Sequence, residues 1–152
     1  MRTSIDRAHE AYFHAIQVID PLRLRFWDSR GATTTQLRVM FEIRRKCEPS
    51  TGELAEELHV RPATLTGLAD RLERNGFVRR WTDAADRRVV RIGLTDQGTA
   101  VLDEVFAAAR DYLSPIFERM GEKARDEFSQ ALEYFAETAA AVQPIPAVAP
   151  AE

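Results

Sequence analysis

A chain of 152 residues with 45% hydrophobic content is long enough for one ordinary domain with a real core, and too short for two independent catalytic domains. Its 21 basic and 24 acidic residues leave a formal charge of −3, so the chain as a whole is neither a polycationic nucleic-acid coat nor an acidic disordered tail. A single cysteine, Cys47, excludes an intramolecular disulfide and any multi-thiolate metal site within one chain.

Residues 5 to 19 place Ile5, Ala8, Tyr12, Ile16 and Ile19 at spacings of three and four, the stripe of a long amphipathic helix. Pro21 either kinks that helix or leaves Asp20 to cap a second short piece through Leu22, Leu24, Phe26 and Trp27, with Gly31 as its end. Thr33-Thr34-Thr35-Gln36 reads as a capping box opening a helix through Leu37, Met40, Phe41 and Ile43, and Ser50-Thr51-Gly52-Glu53 as a second box before Leu54, Ala55 and Leu58. His59-Val60-Arg61 is left as a turn. Pro62 suits the first position of the next helix, which turns Leu65, Leu68, Ala69 and Leu72 inward and stops at Asn75-Gly76.

The period then changes from helical to alternating. Val90, Ile92 and Leu94 share one face of a strand, Phe77-Val78-Arg79-Arg80-Trp81 is its partner, and Thr82-Asp83-Ala84-Ala85-Asp86 forms the hairpin tip. Thr95 caps a long helix through Leu102, Val105, Phe106, Leu113 and Phe117, which Ser114-Pro115 can bend, and Gly121 breaks it. A last helix carries Phe128, Leu132, Phe135 and Ala139 before a Pro/Ala tail at 143–152, expected to be disordered.

Splitting the charge by segment shows what the total hides. Residues 1–60 hold 9 basic and 9 acidic groups, 61–95 hold 8 and 4, and 96–152 hold 4 and 11. The positive segment coincides with the turn, the second short helix and the hairpin, which is the footprint of a duplex reader. Nineteen of the 21 basic residues are arginine, whose planar fork suits phosphates and base edges, although coding bias produces the same ratio.

A short helix, a three-residue turn and a second helix make a helix-turn-helix, in which the second helix enters the major groove with its N-terminal residues nearest the bases. Those residues are Arg61, Ala63, Thr64 and Thr66. Arg61 can take guanine or a phosphate, the threonines can bond phosphate or present a methyl to thymine, and Ala63 allows close approach. Arg71, further along, is placed for phosphate. In the hairpin, Asp86 and Arg88, two apart, are expected to meet on one strand face, so that the carboxylate orients Arg88 and either Arg88 or Arg87 reaches the adjacent minor groove. The plainer readings are a buried helical hairpin with solvated polar residues and a solvated turn salt bridge, the latter worth about 0 to 1 kcal/mol.

The runs Thr34-Thr35-Gln36-Leu37-Arg38-Val39-Met40, Gly52-Glu53-Leu54-Ala55-Glu56-Glu57-Leu58, Thr64 through Val78, and Asp86-Arg87-Arg88 followed by Leu94-Thr95-Asp96-Gln97-Gly98 together resemble a MarR-family winged helix-turn-helix transcriptional regulator. The matches run from about residue 34 to 98, and the flanking helical layout agrees. Arg61-Pro62, where a small polar cap often stands, and Pro21 depart from the pattern. The resemblance implies a mainly α fold with a small two-stranded β-wing, the winged helix-turn-helix being flanked by long dimerisation helices. The expected division is 1–32 N-terminal dimerisation region, 33–98 DNA-binding lobe, 99–142 C-terminal dimerisation helices and 143–152 tail.

It further implies a homodimer on a palindromic operator in double-stranded promoter DNA, commonly a repressor released by a small aromatic or other hydrophobic acid. The stripes point to a dimer independently, because a lobe of about sixty residues cannot cover three long amphipathic helices. His14, Trp27, Phe41 and Arg45 are candidate effector contacts by chain location.

Cys47, beside Arg44, Arg45 and Lys46, is a candidate redox thiol, but oxidant-sensing relatives usually carry theirs in the first helix. His9 and His14 are five apart and share no helix face, so no metal or other cofactor is expected. No nucleophile elbow, phosphate-binding glycine loop or zinc-protease motif occurs, and the adjacent acids Glu56-Glu57 and Asp126-Glu127 face apart, so no enzyme is expected. With no stretch near the roughly 18 apolar residues of a membrane span and no signal-peptide core, the expected place is the cytoplasm. The rival from another class is a winged protein-binding adaptor that reads no DNA sequence.

Overall fold

The computed structural model describes residues 2–26 and 32–142. Trp27, the break at Gly31 and the tail at 143–152 lie outside the described residues. Helix α1 (Ser4–Phe26) runs as one helix past Pro21, so the choice between a continuous and a divided first helix falls to the continuous one. A proline in a long helix forfeits a backbone hydrogen bond without ending the helix when the turns on either side are retained.

Both capping boxes form. At the start of α2 (Thr34–Lys46), Gln36 N–H donates to Thr33 Oγ1 at 3.3 Å and Thr33 N–H donates back to Gln36 Oε1 at 2.8 Å. At α3 (Thr51–Glu57) the same exchange joins Ser50 and Glu53 at 3.1 and 2.7 Å. Helix α4 (Pro62–Arg74) starts on its proline and ends at Asn75, after which Gly76 takes φ +75°, a left-handed turn that glycine adopts without strain. Strands β1 (Val78–Thr82) and β2 (Val90–Leu94) pair antiparallel, with Val78 opposite Leu94 and Thr82 opposite Val90. The far edge of β2 is met by the turn before α3, where Ile92 N–H donates to Pro49 O at 3.0 Å. Phe77 stands just outside β1, buried, its carbonyl accepting from Thr95 N–H.

Thr95 caps α5 (Asp96–Met120) by accepting from Gly98 N–H at 3.0 Å, and α5 continues through Pro115 to Gly121. Helix α6 (Glu122–Ala141) follows. One core joins α2, α3, α4, the wing and the first turns of α5. Leu37, Met40, Ile43, Leu54, Leu65, Leu72, Ile92 and Leu102 are each 2% exposed or less. Burying a side chain of this size contributes about 1.5–3 kcal/mol, which is why three short helices, a hairpin and the start of α5 can hold together.

Beyond Val105 the character changes. Helix α6 has no buried residue, Tyr134 (73% exposed) and Leu132 (50%) lie open to solvent, and so does Phe13 (61%) on α1. Helix α1 packs on α5 and α5 on α6, with Tyr12 against Phe135 at 5.7 Å between ring centres and Phe117 against Phe128 at 6.1 Å.

Candidate nucleic-acid interface

Between α3 and α4 the chain reverses over four residues. Leu58 and Val60 anchor the turn in the core, and His59, at φ +52°, supplies the left-handed step. Its backbone is tied down by His59 N–H to Glu56 O and Val60 N–H to Ala55 O, both 3.0 Å. With Leu65, Leu68, Ala69 and Leu72 turned inward, the exposed side of α4 carries Ala63, Thr64, Thr66, Arg71 and Arg74. Arg61 occupies the cap position but makes no side-chain cap, because a guanidinium has no acceptor; it stays exposed at the leading end of the helix. Thr66 Oγ1 donates its one proton to Pro62 O at 2.9 Å, so what it turns outward is a methyl and an acceptor lone pair, which suit a base edge and not a phosphate.

The wing loop differs from the sequence expectation in its geometry. The strands end at Thr82 and resume at Val90, so residues 83–89 form the loop, and Asp86 and Arg88 stand in a turn and share no strand face. They still meet. Asp83 Oδ1 accepts the N–H groups of Ala85 and Asp86 at 2.8 and 3.2 Å, and Asp86 Oδ1 accepts Arg88 N–H at 3.0 Å, so aspartate-led turns carry the chain round. Arg88 Nε and Nη2 then donate to Asp86 Oδ1 and Oδ2, each at 3.1 Å. These bonds hold the Asp86 carboxyl below its usual range. The Arg88 side chain remains 90% exposed, with Arg87 exposed beside it.

Two arginines of the positive segment do a different job, which sequence spacing did not reveal. Arg80 bonds Asp70 and Glu73 on α4, and Arg91 bonds Asp83 at 2.7 Å and the Glu48 carbonyl at 3.3 Å. Both are half-buried. Arg79 lies over the Trp81 ring, 5.1 Å from its centre, and 3.5 Å from Glu48. Of the remaining arginines of this segment, Arg61, Arg71 and Arg74 are exposed at the start of α4 and along it, Arg87 and Arg88 on the wing loop, and Arg79 on β1.

Of the candidate effector contacts, Trp27 lies outside the described residues and the other three have separate surroundings. His14 is exposed on α1, Phe41 packs edge-on to Phe106 at 5.1 Å, and Arg45 bonds Glu42 and Glu57 at 2.8 and 2.6 Å. A cleft of about 850 Å³ lies between α3 and the end of α6, lined by Glu56, His59, Phe135 and Val142 among others. Another of about 610 Å³ runs along α5, where Arg44, Phe106, Arg110 and Phe117 face it. Neither includes His14, Phe41 or Arg45. Cys47 is exposed at the left-handed end of α2. Among the described residues no group of three or more His, Cys, Asp or Glu side chains is placed to hold a metal ion, and no helix is long and apolar enough to cross a membrane.

The MarR family model matches residues 32–90. The HTH-type transcriptional repressor MdtR of Bacillus subtilis (strain 168) is 32% identical over 110 residues, spanning 72% of this chain and 69% of that protein. Two other relatives are matched over only 46% and 50% of their own length. The crystal structure of YusO from Bacillus subtilis superposes with a TM-score of 0.66 at 27% identity, covering 93% of this chain and all (100%) of that one. Streptococcus pneumoniae FabT, solved in complex with DNA, shares the fold with a TM-score of 0.74 at 21% identity, over 91% of this chain and 97% of its own. On this similarity of sequence and fold, the chain belongs to the MarR family and is a DNA-binding transcriptional regulator.

Proposed function

We propose that the protein is a homodimeric repressor that binds a palindromic operator with two winged lobes and lets go when a small hydrophobic or phenolic acid binds between the dimer helices and a lobe. The observation that carries this reading is the division of the surface. Within residues 61–95 the exposed arginines lie at α4, on the wing loop and, as Arg79, on β1, while most of the large apolar side chains left exposed lie on α1, α5 and α6. On this reading residues 1–32 and 99–142 supply the dimer helices and 33–98 the lobe that reads DNA, within the cytoplasm. Arg61, Ala63, Thr64 and Thr66 face base edges, Arg71 a phosphate, and Asp86 steadies Arg88 and its neighbour Arg87 at the minor groove.

Two recognition helices about one turn of duplex apart, roughly 34 Å, would meet successive half-sites. The name of the relative MdtR supports repression. For the effector, the support is the cleft along α5, where Arg110 stands beside Phe106 and Phe117 and where Arg44, bonded to Asp103 at 2.7 Å, would have to exchange that partner for the ligand's anion. That combination suits an aromatic ring bearing a carboxylate or phenolate. An effector releases DNA only by preferring the arrangement in which the lobes are mis-spaced.

Fluorescence anisotropy tests the proposal, comparing the intergenic duplex upstream of the protein's own gene with a shuffled duplex at two salt concentrations. A preference of about 10³-fold or more is expected. Equal and weak binding to both would overturn the local operator and favour an adaptor that reads no sequence.

A further inference from the structure

We infer that Arg80 is a positioning residue for DNA recognition, fixing the wing against the recognition helix through Glu73 and Asp70 without itself reaching the duplex. Arg80 Nη2 lies 2.6 Å from both Asp70 Oδ1 and Glu73 Oε2, and its Nε lies 3.1 Å from Glu73 Oε2. Its backbone N–H donates to Glu73 Oε1 at 3.1 Å. Glu73 therefore grips both the main chain and the side chain of one strand residue. The strand is the outer one: the sheet has two strands, β2 is covered on its far side by Pro49–Ser50, and the free edge of β1 is turned to α4.

The covalent link between α4 and β1 is Asn75-Gly76-Phe77, with a left-handed glycine at its middle. Thr95 holds the base of that link, its Oγ1 donating to Gly76 O and its N–H to Phe77 O. Arg80 holds the side, further along the strand, where a small rotation about the link would swing the wing loop most. The Arg80 side chain is 25% exposed, against 90% for Arg88, so it is committed inward.

Charge makes the role separable from simple attraction to phosphate. Asp70 and Glu73 are carboxylates on the helix that approaches a polyanion. Neutralising either raises the positive charge of the lobe, and electrostatics alone then requires tighter binding. A positioning role requires the opposite for a specific site, because a wing free to pivot no longer delivers its contacts in register with the helix.

The test uses the full chain, a duplex selected from a random pool by the wild-type protein, and a shuffled duplex. Glu73→Gln and Arg80→Met are each expected to weaken the selected duplex about tenfold, and the double variant to be no worse than either single one, the signature of one shared interaction. Glu73→Gln should bind the shuffled duplex as well as or better than wild type. In the free protein, hydrogen exchange of amides 79–92 should speed up in both variants while the helices keep their protection. Tightening of both duplexes by Glu73→Gln, or additive losses in the double variant, would overturn the assignment. If the pool yields no preferred sequence, the operator proposal fails, and hydrogen exchange alone decides: wild-type rates at 79–92 in Arg80→Met sink the positioning role.

Discussion

Arg91 and Asp83 face each other across the mouth of the wing, with Arg91 Nε 2.7 Å from Asp83 Oδ2. The other end of the guanidinium reaches the Glu48 carbonyl at 3.3 Å and lies 3.9 Å from Glu53. The wing loop is thereby tied to the turn between α2 and α3, on the side away from the Arg80 contacts. Arg91's bond, then the N–H groups of Ala85 and Asp86, hold the Asp83 carboxyl below its ordinary range.

The sign of the pH effect follows. A carboxylate whose folded pKa is lowered contributes stability that is fully present above its unfolded value, about 3.9 for aspartate, and is lost as pH falls through the lower folded value. Trp81 stands opposite Arg91 in the strand register, so its fluorescence reports on this corner once Trp27 is replaced by phenylalanine. The Trp81 signal should hold steady above about pH 4 and shift below it. Asp83→Asn should give the shifted signal at neutral pH and lose this part of the acid response. An acid response identical to wild type would show that the pair does not hold the loop.

Two glycines should respond to alanine with opposite signs. At Gly98, in the first turn of α5, an added Cβ would collide with the Phe77 carbonyl oxygen, which is main chain and already fixed by Thr95. Gly98→Ala should cost at least about 2 kcal/mol through forced backbone movement. At Gly67, inside α4, a Cβ meets nothing within 4 Å, so Gly67→Ala should stabilise by about 0.5–1 kcal/mol through lower chain entropy. Urea denaturation of the two variants checks both signs, and a loss at Gly67 would contradict the open space above it.

What could be read in advance was set by neighbours three or four residues apart. Thr33 with Gln36 and Ser50 with Glu53 are local reciprocal bonds, so the residue types alone announce them. The Asp86–Arg88 contact arises from a turn led by aspartate and not from strand alternation, because the same two residue types at the same spacing fit both. Arg80 with Asp70 and Glu73 could not be read, since these residues meet only after the chain reverses at Gly76 and the strand lies back along the helix. Arg91 with the Glu48 carbonyl, 43 positions apart, depends wholly on how α2 packs on the wing. His14 on α1 and Phe41 and Arg45 on α2 are candidates by chain location, which gives no information on whether the two helices bring them to one cavity.

The uncovered face of α6 predicts the effect of a charge placed there. Leu132 is half exposed, and Phe135 (54% exposed) lies one helical turn away on the same stripe. If a second copy covers this stripe, Leu132→Glu buries an unpaired carboxylate at a cost of several kcal/mol, raising the dimer dissociation constant more than about a hundredfold. Sedimentation velocity should then show monomers at concentrations where the wild-type protein is dimeric, with the Trp81 fluorescence unchanged because the lobe core is untouched. Unchanged sedimentation would mean that α6 does not form the interface.

The wing tip and the recognition helix should fail in different ways. Arg88 is almost fully exposed and, among the described residues, its side chain is bonded only to Asp86, so Arg88→Ala removes a cation without disturbing the core. Binding should weaken, and the dependence of log K on log salt should lose about one from its slope, as for one lost phosphate or groove contact. Asp86→Asn leaves the cation in place and removes a negative charge, which alone would tighten binding, so a fall in affinity is expected only because the two bonds that aim Arg88 are weakened. Thr64→Ala removes a hydroxyl and a methyl from the exposed leading turn of α4, and its effect should appear as altered preference at one or two base pairs per half-site, each worth about 1–3 kcal/mol. An Arg88→Ala variant with wild-type affinity and slope would remove the wing from the interface. The helix would then have to supply the recognition on its own through Arg61, Thr64 and Arg71.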